Sequence, residues 1–172
     1  MPINPSAPPA SLAARGRQRG VYALEWAIIF PVFFMLLYAT LNFGLTFLVR
    51  ESMQWSAEDG ARAFLRYQPD RSARMTEAKK VVIENLGWLP PSLRPSAASI
   101  NINICHVSNL DNCPPTLTCG VTVSERCLIR LDFSIPYGAA PLTPGLSLFG
   151  VNLLNPDILA ASASVLADHG GI

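Results

Sequence analysis

The hydrophobic pattern changes period twice along the chain. From Trp26 to Val49 the sequence Trp-Ala-Ile-Ile-Phe-Pro-Val-Phe-Phe-Met-Leu-Leu-Tyr-Ala-Thr-Leu-Asn-Phe-Gly-Leu-Thr-Phe-Leu-Val contains no charged residue. A helix rising ~1.5 Å per residue covers roughly 36 Å in that length, enough to cross a ~30 Å hydrocarbon core with some tilt. A soluble helix without a polar face would need protein on every side, so a transmembrane helix over residues 21–49 is expected. Beyond it Met53, Ala57, Gly60, Ala61, Phe64 and Leu65 recur at helical spacing, with Glu58, Asp59, Arg62 and Arg66 largely on other faces. The helix therefore continues to about Tyr67, where Pro69 stops it. A second helix is capped by Asp70 or Ser72, carries the stripe Met75, Ala78, Val82 and Leu86, and is closed by Gly87, with Pro90 and Pro91 preventing its resumption.

From Ser99 the period falls to two. Ile100, Ile102 and Ile104 alternate with asparagines, and Cys127, Ile129, Leu131, Phe133 and Ile135 alternate with Arg130, Asp132 and Ser134. Leu159, Ala161, Ala163 and Val165 form a last strand, and residues 117–124 a weaker one. Residues 138–156 have no clear period and read as a loop whose Leu142, Leu146, Leu148 and Phe149 favour rest near a membrane or on a partner. The predicted class is α+β: a long N-terminal helix, transmembrane at first, packed farther on against a small antiparallel sheet. Residues 1–20 form a cytoplasmic tail, 21–49 the span, and 50–172 an exported domain, helical over 50–87 and sheet over 99–167.

Charge orients the span. Arg15, Arg17 and Arg19 precede it, and no acidic residue occurs among residues 1–20, so the bias of basic residues to the cytoplasmic side leaves the N-terminus inside and the C-terminal domain exported. The apolar run is far longer than the ~7–15 residues of a secretory signal core. Pro2, Pro5, Pro8 and Pro9 with Ser and Ala leave too little apolar surface for the tail to fold. A net charge of +1 and the absence of a basic stripe in the exported part argue against nucleic acid as a partner.

Cys105, Cys113, Cys119 and Cys127 all lie in the exported part, where oxidation to disulfides is expected. A nested pairing, Cys105 with Cys127 and Cys113 with Cys119, suits a hairpin; sequential pairing stands close beside it, because spacing does not fix connectivity. There is no Cys-x2-Cys pair beside His106, so no metal site is expected. With His106 and His169 the only histidines, no catalytic constellation or phosphate loop stands out. Neither enzyme activity nor a cofactor is expected.

Glu25 is the unusual residue, because a carboxylate costs on the order of 2.5–3.5 kcal/mol at the centre of a bilayer and less near its edge. Gly20 followed by Val21, with Glu25 at the fifth position and an apolar helix beyond, resembles a prepilin processing site. Leu24-Glu-Trp-Ala-Ile-Ile-Phe-Pro31 is similar to the opening of TadE/TadG-like proteins, pseudopilins of the tight-adherence (Tad) pilus machinery. Asn42-Phe-Gly44 stands where that family commonly has Glu-Phe-Gly, and Ser56-Ala-Glu-Asp-Gly-Ala-Arg-Ala63 looks like its Ala-x-x-Gly-Ala-Arg-Ala segment. The tail from Phe133-Ser-Ile-Pro-Tyr137 onward is loosely similar. Asn42 in place of an acid, Trp26 in place of Phe, and Val21 after the cut are departures.

The resemblance implies a pilin-like fold, a single-pass protein of the bacterial inner membrane with its domain in the periplasm or on a pilus, and a role in pilus assembly and adhesion. It implies a prepilin peptidase that cuts after Gly20, and other pilin-like subunits as helix partners. Glu25 would then pair with the Val21 ammonium of a neighbour, and Pro31, Asn42 and Gly44 would shape the helix–helix contact. The alternative is a permanently anchored envelope protein that keeps its leader and recruits a partner through its periplasmic domain.

Overall fold

The first element is a single helix, α1, over Arg19–Phe64, 46 residues long with Pro31 inside it. The computed structural model describes residues 19–66, 70–109, 113, 117, 119–120, 122, 125–144, 147–148, 151–152 and 155–167. At its C-terminus Leu65 N–H donates to Arg62 and Arg66 N–H to Ala63, a tightened turn that satisfies the last carbonyls. Leu65, expected within the apolar stripe, lies in this turn and is exposed. Tyr67 and Pro69, on which the predicted helix end rested, lie outside the described residues.

The chain divides into two compact units, one reaching Leu41 and one beginning at Asn42. In the first, the described part is α1 alone. From Gly20 to Leu37 its side chains are exposed, and its aromatic contacts are local: Phe30 and Phe34 rings lie 4.4 Å apart, Phe33 and Phe34 5.6 Å apart. Thr40 returns its hydroxyl to the carbonyl of Leu36 at 2.9 Å, which satisfies that polar group within the helix itself.

The second unit contains the rest of α1, a second helix α2 over Arg71–Asn85, and the strands β1 (Asn101–His106), β2 (Cys127–Ile135), β3 (Ser147–Leu148), β4 (Val151–Asn152) and β5 (Leu159–Ala167). Asp70 caps α2, accepting from the backbone N–H of Ala73 at 2.7 Å and from the Ser72 hydroxyl at 3.0 Å. These donors hold the Asp70 carboxyl below the usual carboxylate range, the Ala73 N–H contributing most. After α2, Arg94 Nε donates to Leu89 O at 2.7 Å and its guanidinium also reaches Gly87 O. Arg94 thereby fastens the turn that follows α2 through that turn's own carbonyls.

The sheet is antiparallel with order β1-β2-β5. Its inner face alternates as the sequence predicts: Cys127, Ile129, Leu131, Phe133 and Ile135 are buried, and on β5 Leu159, Ala161 and Ala163 are buried on the same face. The outer face is polar, with Asn101 and Asn103 opposite Asp132 and Arg130. A 3₁₀ turn at Tyr137–Ala139 and the β3–β4 ribbon occupy the stretch read as an aperiodic loop. Strands of two residues are too short to impose a visible period. Within that stretch Leu142 packs against the core, while Leu146 and Phe149 lie outside the described residues, as does half of the weaker strand at 117–124.

Small residues set the distance at which α1 approaches its neighbours. A Cβ on Gly60 would stand 2.5 Å from Val82 Cγ2 and 3.0 Å from Leu131 Cδ1, so α2 and β2 both press on this point. Ser56 is buried and donates to Val82 O at 3.0 Å. The small residues of the Ser56–Ala63 segment are thus the packing seam of the domain.

Candidate functional site

Gly20, Val21, Glu25 and Pro31 lie along the first unit, all exposed. Gly20 and Val21 belong to the first turn of α1. Glu25 makes no hydrogen bond or ion pair with any described residue, and beyond it runs an uninterrupted apolar surface that includes Ile29, Phe33 and Leu36. Such a surface does not persist in water; lipid or other helices complete it. α1 is long and apolar enough to cross a membrane by length and composition.

Asn42 and Gly44 behave differently from each other. Asn42, expected to reach across to a neighbouring helix, is fully buried in the second unit and its amide donates to the Thr143 hydroxyl. One turn on, the Thr46 hydroxyl lies 3.5 Å from that of the buried Tyr137. The segment after β2 therefore supplies from within the chain the polar partner that sequence reasoning sought outside it. Thr143 carried no sequence signal; Tyr137 stood in the Phe133–Tyr137 block noted for its resemblance. Gly44 faces open space, where an added Cβ would meet nothing within 4 Å, so the fold of this chain does not require its small size.

The cysteines are paired sequentially, Cys105 with Cys113 and Cys119 with Cys127, with Cα atoms 4.4 and 5.5 Å apart. The nested pairing is excluded by register. Cys105 stands opposite Leu128, and His106 opposite Cys127; directly paired residues share a face and successive ones alternate. Cys105 and Cys127 consequently project from opposite faces of the sheet. Each bridge instead fastens one end of the β1–β2 connection to the strand beside it. Among the described residues no cluster of His, Cys, Asp and Glu could hold a metal ion.

These features define a class: a membrane-anchored α+β protein of pilin-like architecture, its apolar N-terminal helix continuing into a disulfide-bonded domain. Residues 20–62 match the family of TadE-like proteins, so the likeness covers the helix and its packing seam. Comparison with curated proteins and with solved structures returned no match.

Proposed function

We propose that the protein is a TadE-type, pilin-like structural or assembly subunit of a Tad pilus or related secretion machinery. It is held in the inner membrane by the first part of α1, with its domain in the periplasm or carried onto the pilus. The observation that supports this most is the pairing of a TadE-like segment with an α1 half that finds no packing partner among the described residues of its own unit. A structural role needs such a surface, because other pilin-like helices complete it.

The span expected over residues 21–49 is shortened in this reading to residues 21–41, about 21 residues or roughly 30 Å of helix, because Asn42 and Val49 are buried within the second unit. A prepilin peptidase cuts after Gly20 and removes the arginine-rich leader. The new ammonium on Val21 then pairs with Glu25 of an adjoining subunit, so that two groups costly in lipid satisfy each other. Gly44, open to its surroundings, gives a neighbouring helix room to approach.

Intact mass and N-terminal sequencing of the protein from its native membrane test the processing step. A chain beginning at Val21, methylated or not, is the expected result. A chain that keeps the leader contradicts processing and leaves a permanently anchored envelope protein that recruits its partner through the periplasmic domain.

A further inference from the structure

Beyond the span itself, the domain carries a second apolar surface assembled from distant parts of the sequence. Phe43 and Phe47, one turn apart on α1, are 56% and 66% exposed, and Ile158 is 65% exposed. All three line one open cleft of about 470 Å³ with Pro156, Leu159 and Arg50. Among the described residues no acidic one lines it. Ile158 is held outward by its surroundings. Gly138 N–H donates to Asp157 O at 2.9 Å, a Cβ on Gly138 would stand 2.9 Å from Asp157 Cα, and Asn155 donates to Thr143 O at 3.4 Å. The segment before β5 is therefore pinned, and its isoleucine does not fold back into the core.

We infer that this surface is a lipid contact, which docks the exported domain on the bilayer beside its own anchor. The inference rests on the reading that the first part of α1 spans the membrane. Phe43 follows Leu41 by two residues, so the chain itself keeps the patch at the end of the span. The headgroup zone adds roughly 5–8 Å on each side of the hydrocarbon core; Phe43, two residues after Leu41, is about 3 Å along the helix and falls within it, while Phe47, at about 9 Å, stands at its outer edge. Phe43 and Ile158 supply apolar surface for the acyl boundary, and Arg50, farther along the helix, adds a positive charge of the sign that anionic lipid attracts. A domain held in this way has a restricted orientation before it meets other subunits.

The four native cysteines are bonded to each other, so an introduced cysteine is the single reactive thiol. The full chain carrying Ile158→Cys, labelled with an environment-sensitive fluorophore, is reconstituted in vesicles of phosphatidylethanolamine and phosphatidylglycerol that contain acyl-chain spin-labelled lipid. Val32→Cys in the first half of α1 and Ser164→Cys on the outer sheet face serve as references. The label at position 158 should be blue-shifted and quenched several-fold more than that at 164. Quenching equal to position 164, with position 32 strongly quenched, overturns the lipid contact and leaves the anchor intact. Loss of quenching at position 32 overturns the anchoring itself. A blue shift at 158 without lipid quenching means that a protein neighbour covers the patch, which also overturns the inference.

Discussion

One helix serves two environments, and its halves differ in what covers them. From Gly20 to Leu37 the side chains of α1 are exposed, apolar or not. From Asn42 to Phe64 the same helix has a buried stripe that includes Asn42, Val49, Met53, Ala57, Gly60 and Phe64. Backbone geometry is common to both halves; the distinction lies in the pattern. The second half places polar residues such as Gln54, Glu58 and Arg62 on one side and small or apolar residues on the other, which is the arrangement of a helix at the surface of a protein. The first half has no polar side, so its burial must come from lipid or from other chains.

This contrast is sharpest for two phenylalanines. Phe64→Ala removes a fully buried ring and should cost the domain about 3–5 kcal/mol, read by denaturant unfolding of the full chain in detergent. Phe34→Ala, at an exposed position, should leave that unfolding transition unchanged. Equal effects at the two sites would break the division of the helix into two environments.

Two glycines give the same test with a smaller effect. Gly60→Ala gains helix propensity, yet the new methyl meets the stiff, buried Val82 and Leu131; overpacking of this kind costs about 1–3 kcal/mol. Gly44→Ala enters open space, so the domain's stability should stay level or rise by at most about 1 kcal/mol. Thermal unfolding of the two variants side by side decides the matter.

The Asn42–Thr143 hydrogen bond marks where the second environment begins. Asn42→Ala and Thr143→Val should each lower domain stability by about 0.5–1.5 kcal/mol, and the double variant should cost less than their sum. Full additivity would return Asn42 to the role of an intermolecular contact.

The smallest effect expected is that of acid on the cap of α2. Because the folded state holds the Asp70 carboxyl below its ordinary value, the cap's contribution is present above the unfolded pKa and is lost as pH falls through the folded one. Amide exchange in α2 should quicken in acid in the native protein. Asp70→Asn keeps a capping oxygen without a titrating group, and should flatten that dependence.

Legibility followed the length and regularity of each pattern. The long apolar run, the stripe of α2 and the alternation of β2 and β5 extend over enough residues for their period to show, and each appears in the fold. Gly60 was visible as a member of an apolar stripe, but its contacts with Val82 and Leu131 bring together residues distant in sequence and are set only by the tertiary fold. The cysteine pairing depended on the register between β1 and β2, which decides the face on which each sulfur lies. Asn42 misled because a polar residue in an apolar run looks the same whether its partner belongs to another chain or to a later segment of its own. Ile158, one apolar residue before a strand, had no pattern to mark it.

The central claim is that other subunits complete the first half of α1, with Glu25 as the charge that draws them. Its most direct test is affinity purification from native membranes of the full-length protein and of Glu25→Ala, followed by identification of the pilin-like subunits that accompany each. The account predicts equal amounts of both forms in the membrane fraction and loss of the accompanying subunits from the Glu25→Ala preparation. Recovery of the same subunits in the same amounts, with normal pili, would contradict it.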